Sequence, residues 1–324
     1  MRQTLTYSKS GSIRFASILT PFVVLFCWVT MLAVRYQHVV TLNTGLFSSV
    51  WEAIHPLVLV GINCVFIAGT SLLLLLMNSK FAIIRNRTSL SALFYILFLA
   101  SDRQAFYSLT GNLTTLIILI ALFQLYNCYQ KNKVVEETFN VGVLLSVGSF
   151  FSTHLFYFIP IFWIGFSFFK ADSLKPLLAS VTGALTPYWF AFCWFLYIND
   201  LPAFVHPFTC LFNFDAGKLL GFELSDWVRT VFTILIALLA IGNFQLHNFQ
   251  DKIRTRLIFY FLFTMLVITG ILLILGILPF VNYNGVYYLI CGMFAAHLFS
   301  TVYNRLMSIF FYAVLAIYLV LLFF

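Results

Sequence analysis

Apolar segments of about 20 residues recur along this chain, and they constrain its fold more than any other feature. The hydrocarbon core of a bilayer is about 30 Å thick, and a helix of about 20 apolar residues spans it. Only 9% of the residues are charged, whereas about a quarter are charged in a soluble domain. In lipid, each backbone polar group must bond within the protein, which favours helices. The sequence therefore predicts an all-α polytopic transmembrane helix bundle, a single transmembrane domain over residues 1–324 with no soluble domain.

Polar turns divide the chain into about eleven predicted helices, with ten or twelve as alternatives. The first apolar run is longer than that of a signal peptide and lacks a clear cleavage site, so we expect an uncleaved helix. The longest predicted loop covers residues 199–226, and a second outer loop covers 35–55. The predicted helices cover about residues 15–34, 56–77, 90–100, 109–129, 139–151, 154–169, 176–198, 227–245, 257–280, 285–302 and 307–324.

A helical hairpin lies near the middle of the chain, formed by the segments 139–151 and 154–169. The first segment is shorter than the roughly 20 residues that a full crossing needs. It contains Gly142 and Gly148, and small residues of this kind let helices approach closely in a membrane. We therefore predict a tight hairpin with its tip at one membrane face, followed by a return helix.

Lysine and arginine are distributed unequally between the two sides that these helices define. The side with the N-terminus receives fourteen of the eighteen basic residues and the other side receives four. An excess of basic residues marks the cytoplasmic side of a membrane protein. We therefore predict a multi-pass protein of the bacterial cell inner membrane with a cytoplasmic N-terminus. The four basic residues of the predicted outer side are Arg35, Arg103, Lys218 and Arg229.

The chain carries no motif that assigns a chemistry by itself. It has no phosphate-binding loop, no dinucleotide fingerprint and no HExxH sequence. Its six cysteines are scattered without paired spacing, so we predict neither a disulfide framework nor a metal site. The basic residues lie in turns at the predicted cytoplasmic surface, where they contact lipid headgroups rather than nucleic acid. Whether the chain is an enzyme, and whether it uses a cofactor, stays open at this point.

Candidate site residues gather on the predicted outer side, at or near the ends of helices. Ionisable residues in such positions mark candidate functional sites. Glu52 would act as a catalytic carboxylate with His55 beside it, and the alternative is a carboxylate at a helix start. Asp102 and Arg103 would bind a phosphate or a sugar, and the alternative is an ion pair that ends a helix. His154, at the hairpin tip, would bond a substrate, and the alternative is a histidine in interfacial water.

The region from Ser71 to Phe190 resembles an uncharacterised family of Bacteroidetes-type integral membrane proteins. The resemblance is carried by LLLLLMNSKFAIIRNRTSLSALFYILFLA, LTTLIILIALFQLY, FNVGVLLSVGSFF and LLASVTGALTPYWF. It covers over a third of the chain and implies a polytopic inner-membrane protein without an established activity.

The arrangement of an acid in the first outer loop, short paired helices and a polar outer face is similar to the GT-C superfamily of glycosyltransferases. That resemblance implies transfer of a sugar from a polyprenyl-phosphate donor on the outer side of the membrane. Glu52 is the one acid in the first outer loop, but it lies near the end of that loop, and no second acid is adjacent. Likeness of architecture alone does not assign a function.

Three functional hypotheses follow from the sequence. The first is GT-C-like sugar transfer, with Glu52 as the base or metal-proximal carboxylate and Arg103 on the donor phosphate. Its partners would be membrane lipids, among them a polyprenyl-phosphate lipid. The second is a non-catalytic subunit or scaffold of an envelope complex, which needs a protein partner in the membrane. The third is a carrier for a lipid or small molecule, which predicts ionisable residues near the bilayer midplane.

Overall fold

The structure is a computed structural model, and it is helical along most of the residues that it describes. Those residues are 20–34, 39, 45–47, 50–51, 54–84, 89–131, 134–169, 173–211, 224–301 and 305–323. The helices are α1 (Thr20–Ala33), α2 (Pro56–Phe81), α3 (Leu90–Ser101), α4 (Arg103–Phe106), α5 (Leu109–Asn127), α6 (Val135–Ser149), α7 (Phe158–Phe168), α8 (Leu174–Tyr197), α9 (Leu201–Cys210), α10 (Leu224–His247), α11 (Ile253–Ile274), α12 (Phe280–Thr301) and α13 (Arg305–Leu321).

Five of the described helices, α2, α5, α8, α10 and α11, are long and apolar enough to cross a membrane. Their exposed faces carry large apolar side chains such as Leu72, Trp189 and Leu238. Extensive apolar exposure of this kind is rare on soluble monomers, but it suits contact with lipid. The predicted all-helical class is therefore confirmed for the described residues, and the five long apolar helices are compatible with a membrane protein. The number of crossings stays a prediction.

Each of the eleven predicted segments contains a helix, and the structure adds the short helices α4 and α9. The prediction of a loop over 199–226 is wrong where α9 forms. Asp200 caps this helix, because its side chain accepts a hydrogen bond from the Ala203 backbone N–H at 3.3 Å. Phe204 of α9 packs against the Tyr188 ring, with the ring centroids 6.4 Å apart. Capping and aromatic packing stabilise a helix that its short apolar pattern did not predict.

The centre of the bundle is built from α3 and α12. All twelve residues of α3 and most residues of α12 are buried. A β-carbon at Gly292 of α12 would come within 3.0 Å of the Tyr95 backbone nitrogen, so the two backbones are close. At 1.5 Å per residue, α3 is about 18 Å long, well short of the hydrocarbon thickness. The end of α3 therefore meets other parts of the protein rather than the membrane surface.

The predicted hairpin is present as α6, a 3₁₀ turn over Thr153–Tyr157, and α7. A β-carbon at Gly142 would overlap the Ser180 carbonyl oxygen of α8, and one at Gly183 would overlap the Phe139 carbonyl oxygen. Gly148 instead lies against the side chain of Leu155. The close backbone contact predicted for Gly142 is therefore confirmed, and it brings α6 directly against the return helix α8. The same prediction for Gly148 is wrong, because its nearest neighbours are the side chains of Leu155 and Ile117.

Contacts between helix ends fall into two groups, one at each end of the bundle. At one end, which we name the Asp102 end, Asp102 pairs with Arg229 at the start of α10. At the other, which we name the Arg254 end, the Arg254 guanidinium donates to the Tyr126 carbonyl oxygen at 2.9 Å. These groups match the two sides that the sequence predicts from its basic residues. Which end faces the cytoplasm stays a prediction.

Candidate functional site

Asp102 is the residue around which the polar groups of the Asp102 end are arranged. It follows α3 directly and caps α4, because its Oδ1 accepts the Ala105 backbone N–H at 3.1 Å. An aspartate is a preferred residue at a helix N-cap. Its side chain is only 9% exposed, so the carboxylate lies within the protein. A buried carboxylate must be compensated by nearby donors or by an opposite charge.

Arg229 supplies the opposite charge. Its guanidinium lies 3.2 Å from Asp102 Oδ1 and donates to Asp226 Oδ1 at 2.6 Å. Arg229 and Asp226 are three residues apart on α10, so their side chains lie on the same helix face. The Arg229 side chain is 7% exposed, whereas the Asp226 side chain is 29% exposed. Asp102, Arg229 and Asp226 are therefore joined by two ion pairs that run from the buried end of α3 toward solvent.

Two polar side chains of α12 complete the surroundings of Asp102. The Asn284 amide donates to Asp102 Oδ2 at 3.0 Å, and the Tyr288 hydroxyl donates to the same oxygen at 2.9 Å. The two residues are four apart and therefore share a helix face. Both carboxylate oxygens of Asp102 are occupied as a result, and α3, α10 and α12 are joined at one point.

A cleft opens at this point, with about 320 Å³ of empty space that includes solvent at its mouth. The cavity itself has a volume of about 20 Å³, which is room for about one water molecule. Polar groups from α4, α10, α12 and the junction between α3 and α4 surround it, with an apolar wall from the first turn of α12. The lining residues are Asp102, Gln104, Asp226, Arg229, Thr230, Phe280, Val281, Asn284 and Tyr288.

A second polar network lies beside the cleft, in the turn between α4 and α5. The Asn112 amide donates to Asn63 Oδ1 at 2.8 Å and to the Phe106 carbonyl at 2.9 Å. Asn282 Oδ1 accepts hydrogen bonds from Ser108 at 3.1 Å and from Thr110 at 2.9 Å. These bonds connect α2, α5 and α12 behind the cleft. They hold the first turn of α12, which contains part of the cleft wall, in a fixed position.

Of the four sequence-predicted site residues that the structure describes, one lines the cleft. Asp102 does, but its neighbour Arg103 does not, and the guanidinium that pairs with Asp102 belongs to Arg229. His154 is buried in the 3₁₀ turn of the hairpin, with its ring centroid 6.4 Å from that of Tyr157. It does not line the cleft either.

The other two predicted residues lie at the start of α2. His55 caps this helix, with its Nδ1 accepting the Leu57 backbone N–H at 3.3 Å, and it is exposed. It does not line the cleft. Glu52 lies outside the described residues, so its role as a catalytic carboxylate stays a prediction.

Sequence reasoning missed Arg229, Asn284 and Tyr288 as site residues. The signals were present but weak, because an acid and an arginine three apart at a helix start are common on solvent-exposed faces. Asn284 and Tyr288 lie four apart in a predicted helix, and this spacing is informative only when their common neighbour is known. The tertiary structure supplies that neighbour as Asp102.

Among the described residues, no group of three or more histidine, cysteine, aspartate or glutamate side chains is placed to hold a metal ion. No family model, curated protein or solved structure matches this chain. The two resemblances drawn from the sequence therefore stay predictions. The cleft must be interpreted from its own chemistry.

Proposed function

We propose that this chain is a multi-pass inner-membrane protein that acts on a lipid-linked polar group at the outer face of the membrane. The reaction that fits best is sugar transfer from a polyprenyl-phosphate-linked donor. The observation that carries the proposal is the buried Asp102–Arg229 pair, extended by the part-exposed Asp226, at a cleft in a bundle of apolar helices. Burying two ionisable groups at a helix end is costly, and in membrane proteins such groups usually serve a function.

The geometry supports different roles for the three residues in such a reaction. Asp226 is the more exposed carboxylate, so it would accept the proton of an incoming hydroxyl as general base. Arg229, bonded to both carboxylates, would hold Asp226 in orientation. Asp102, with both oxygens occupied, would position Arg229. In this proposal Arg103 contacts the donor phosphate outside the cleft and Glu52 is a second candidate base.

The orientation and location belong to the same proposal. The sequence predicts fourteen of the eighteen basic residues on the membrane side opposite Asp102 and Arg229, which supports an outward-facing cleft. A sugar donor carried on a polyprenyl phosphate would then reach the cleft from the outer leaflet.

A transfer assay on the purified protein in proteoliposomes tests this function. The donor would be a polyprenyl-phosphate-linked sugar, and release of the polyprenyl phosphate would be followed over time. We expect Asp226→Asn to lower the rate by about 100-fold or more, as loss of a general base does. Asp200→Asn is the matched control, since Asp200 lies outside the cleft and asparagine caps a helix equally well.

The result for Glu52 separates the two candidate bases. A Glu52→Gln variant with full activity would remove Glu52 from the mechanism. Full activity of Asp226→Asn, or no turnover by the wild-type protein with any polyprenyl-linked sugar, would contradict the transferase proposal.

One observation favours a non-catalytic subunit as the second candidate. Both oxygens of Asp102 are occupied by protein groups, and a fully bonded charge also serves to fix three helices together. A membrane partner recovered in constant stoichiometry with the protein, together with inactivity in the transfer assay, would support this alternative. The ionisable residues of the cleft lie at helix ends rather than mid-helix, so nothing in the described residues favours the carrier hypothesis.

A further inference from the structure

Two basic side chains lie over one pair of phenylalanine rings at the Arg254 end. Lys80 Nζ lies 5.3 Å from the centre of the Phe81 ring and 4.3 Å from that of Phe123. Arg254 Cζ lies 4.5 Å from the centre of the Phe81 ring, and the centroids of the two rings are 5.2 Å apart. An aromatic face attracts a cation but does not neutralise its charge. Two positive charges are therefore held at one place, which we name the Phe81 site (Lys80, Phe81, Phe123 and Arg254).

The two cations of the Phe81 site have no carboxylate to neutralise them. Neither Lys80 nor Arg254 belongs to an ion pair within the part of the chain that the structure describes. The Arg254 guanidinium donates to the Tyr126 carbonyl oxygen at 2.9 Å, whereas its buried Nε makes no hydrogen bond to the described residues. A guanidinium has five N–H donors, so one carbonyl leaves most of them available. The site thus combines net positive charge with available donors, which suits a phosphate group.

The ends of three long apolar helices meet at the Phe81 site. Lys80 and Phe81 end α2, Phe123 lies near the end of α5, and Arg254 lies in the first turn of α11. All three helices are long and apolar enough to cross a membrane. Lysine and arginine near the ends of membrane-spanning helices extend to the interface, at the level of the lipid headgroups. A phosphate that reaches these two cations would therefore belong to a headgroup.

The exposed face of α2 supplies a surface for the rest of such a lipid. Leu76 and Leu72 lie four and eight residues before Lys80, on the same face of the helix, and both are exposed. We propose that the Phe81 site binds the phosphate of an anionic phospholipid, with its acyl chains along this face of α2. The inference rests on the proposed function only in taking α2, α5 and α11 as membrane-spanning helices.

Lipid retention in nanodiscs tests the inference. The discs would contain equal amounts of phosphatidylglycerol and phosphatidylcholine, and native mass spectrometry would identify the lipids that stay on the protein. Both lipids have a phosphate, but phosphatidylcholine also carries an ammonium, which the two cations of the site repel. We expect phosphatidylglycerol to be enriched about tenfold or more, because each basic residue at the membrane surface strengthens the binding of anionic lipid about fivefold.

The variants assign the lipid to the Phe81 site. Lys80→Met and Arg254→Met should each lower the enrichment about fivefold, whereas Lys80→Arg keeps the charge and should keep the enrichment. Lys175→Met is the matched control, because it removes an exposed positive charge at the same end of the bundle, on α8. Equal retention of the two lipids would overturn the inference. An equal loss of enrichment in Lys175→Met and Lys80→Met would also overturn it, since the attraction would then be general.

Two further outcomes separate the sources of the phosphate and the two proposals. Inorganic phosphate retained by the protein in discs of phosphatidylcholine alone, and lost in Lys80→Met, would assign the site to a soluble anion and overturn the lipid assignment. Sugar transfer with equal retention of the two lipids would refute this inference and leave the transferase proposal intact. Selective retention of phosphatidylglycerol without sugar transfer would do the reverse.

Discussion

Replacing Arg229 by methionine tests whether the charge cluster is buried as the structure describes it. Methionine keeps most of the side-chain length but leaves Asp102 without its opposite charge. Breaking a buried ion pair from one side costs about 3–5 kcal/mol. Asp102 keeps the hydrogen bonds from Asn284 and Tyr288, and Asp226 is 29% exposed and can be solvated. We therefore expect the lower end of this range, about 3 kcal/mol of lost unfolding free energy.

A double-mutant cycle isolates the contribution of the pair. Asp102→Asn keeps the shape and leaves Arg229 its contact with Asp226, so we expect a cost of about 1–2 kcal/mol. The double variant has no unpaired charge at Asp102, so its cost should fall below the sum of the single costs by about 1–3 kcal/mol. Equilibrium unfolding in mixed micelles, followed by tryptophan fluorescence, gives the four free energies.

The control for this cycle is Lys175→Met, which removes an exposed positive charge at the opposite end of the bundle. We expect it to change the unfolding free energy by about 0.5 kcal/mol or less. Additive single costs, or a loss of under about 1 kcal/mol for Arg229→Met, would refute the argument that the pair is desolvated.

Three further predictions concern packing and topology. Gly142→Ala should lower the unfolding free energy by about 1–3 kcal/mol, because α6 and α8 must move apart. The control is Gly61→Ala, which has open space around it and should not destabilise the protein. Asn112→Leu should cost about 0.6–1.7 kcal/mol for its lost interhelical bonds, and a larger stability than wild type would contradict the network. The predicted orientation can be tested by cysteine labelling in a background without native cysteines. A membrane-impermeant maleimide should label Asp200→Cys but not Lys252→Cys on intact cells, and the reverse pattern would overturn the orientation.

The helices of this protein could be predicted well because each depends on local sequence. The segment predicted at 90–100 forms α3, and the one predicted at 56–77 forms α2 with one additional turn. The start of α2 follows from His55, whose side chain caps that helix. The exceptions are the short helices α4 and α9, and α9 has an apolar run too short to stand out and packs on α8. Local propensity predicts an element only when tertiary contacts are not needed to stabilise it.

The candidate site could be predicted only in part, because its residues come from three separate helices. Asp102 was identified from its place after a short helix, and Asp226 and Arg229 were assigned to the predicted outer side with it. The choice of Arg103 as the cation beside the cleft followed proximity in the chain. The structure instead brings Arg229 to Asp102, since α10 begins where α3 ends.

The sequence by itself determined apolar helices long enough to cross a membrane, because its apolar runs are long and its charged residues are few. In lipid, runs of this kind satisfy their backbone hydrogen bonds as helices. The sequence also determined the two-sided distribution of basic residues. Only the tertiary structure decided which helices form the centre, because α3 is as apolar as its lipid-facing neighbours. The tertiary structure also decided which polar groups meet. Lipid offers no partner to a charge, so Asp102 must pair within the protein, and its pairing with Arg229 depends on how α3, α10 and α12 pack.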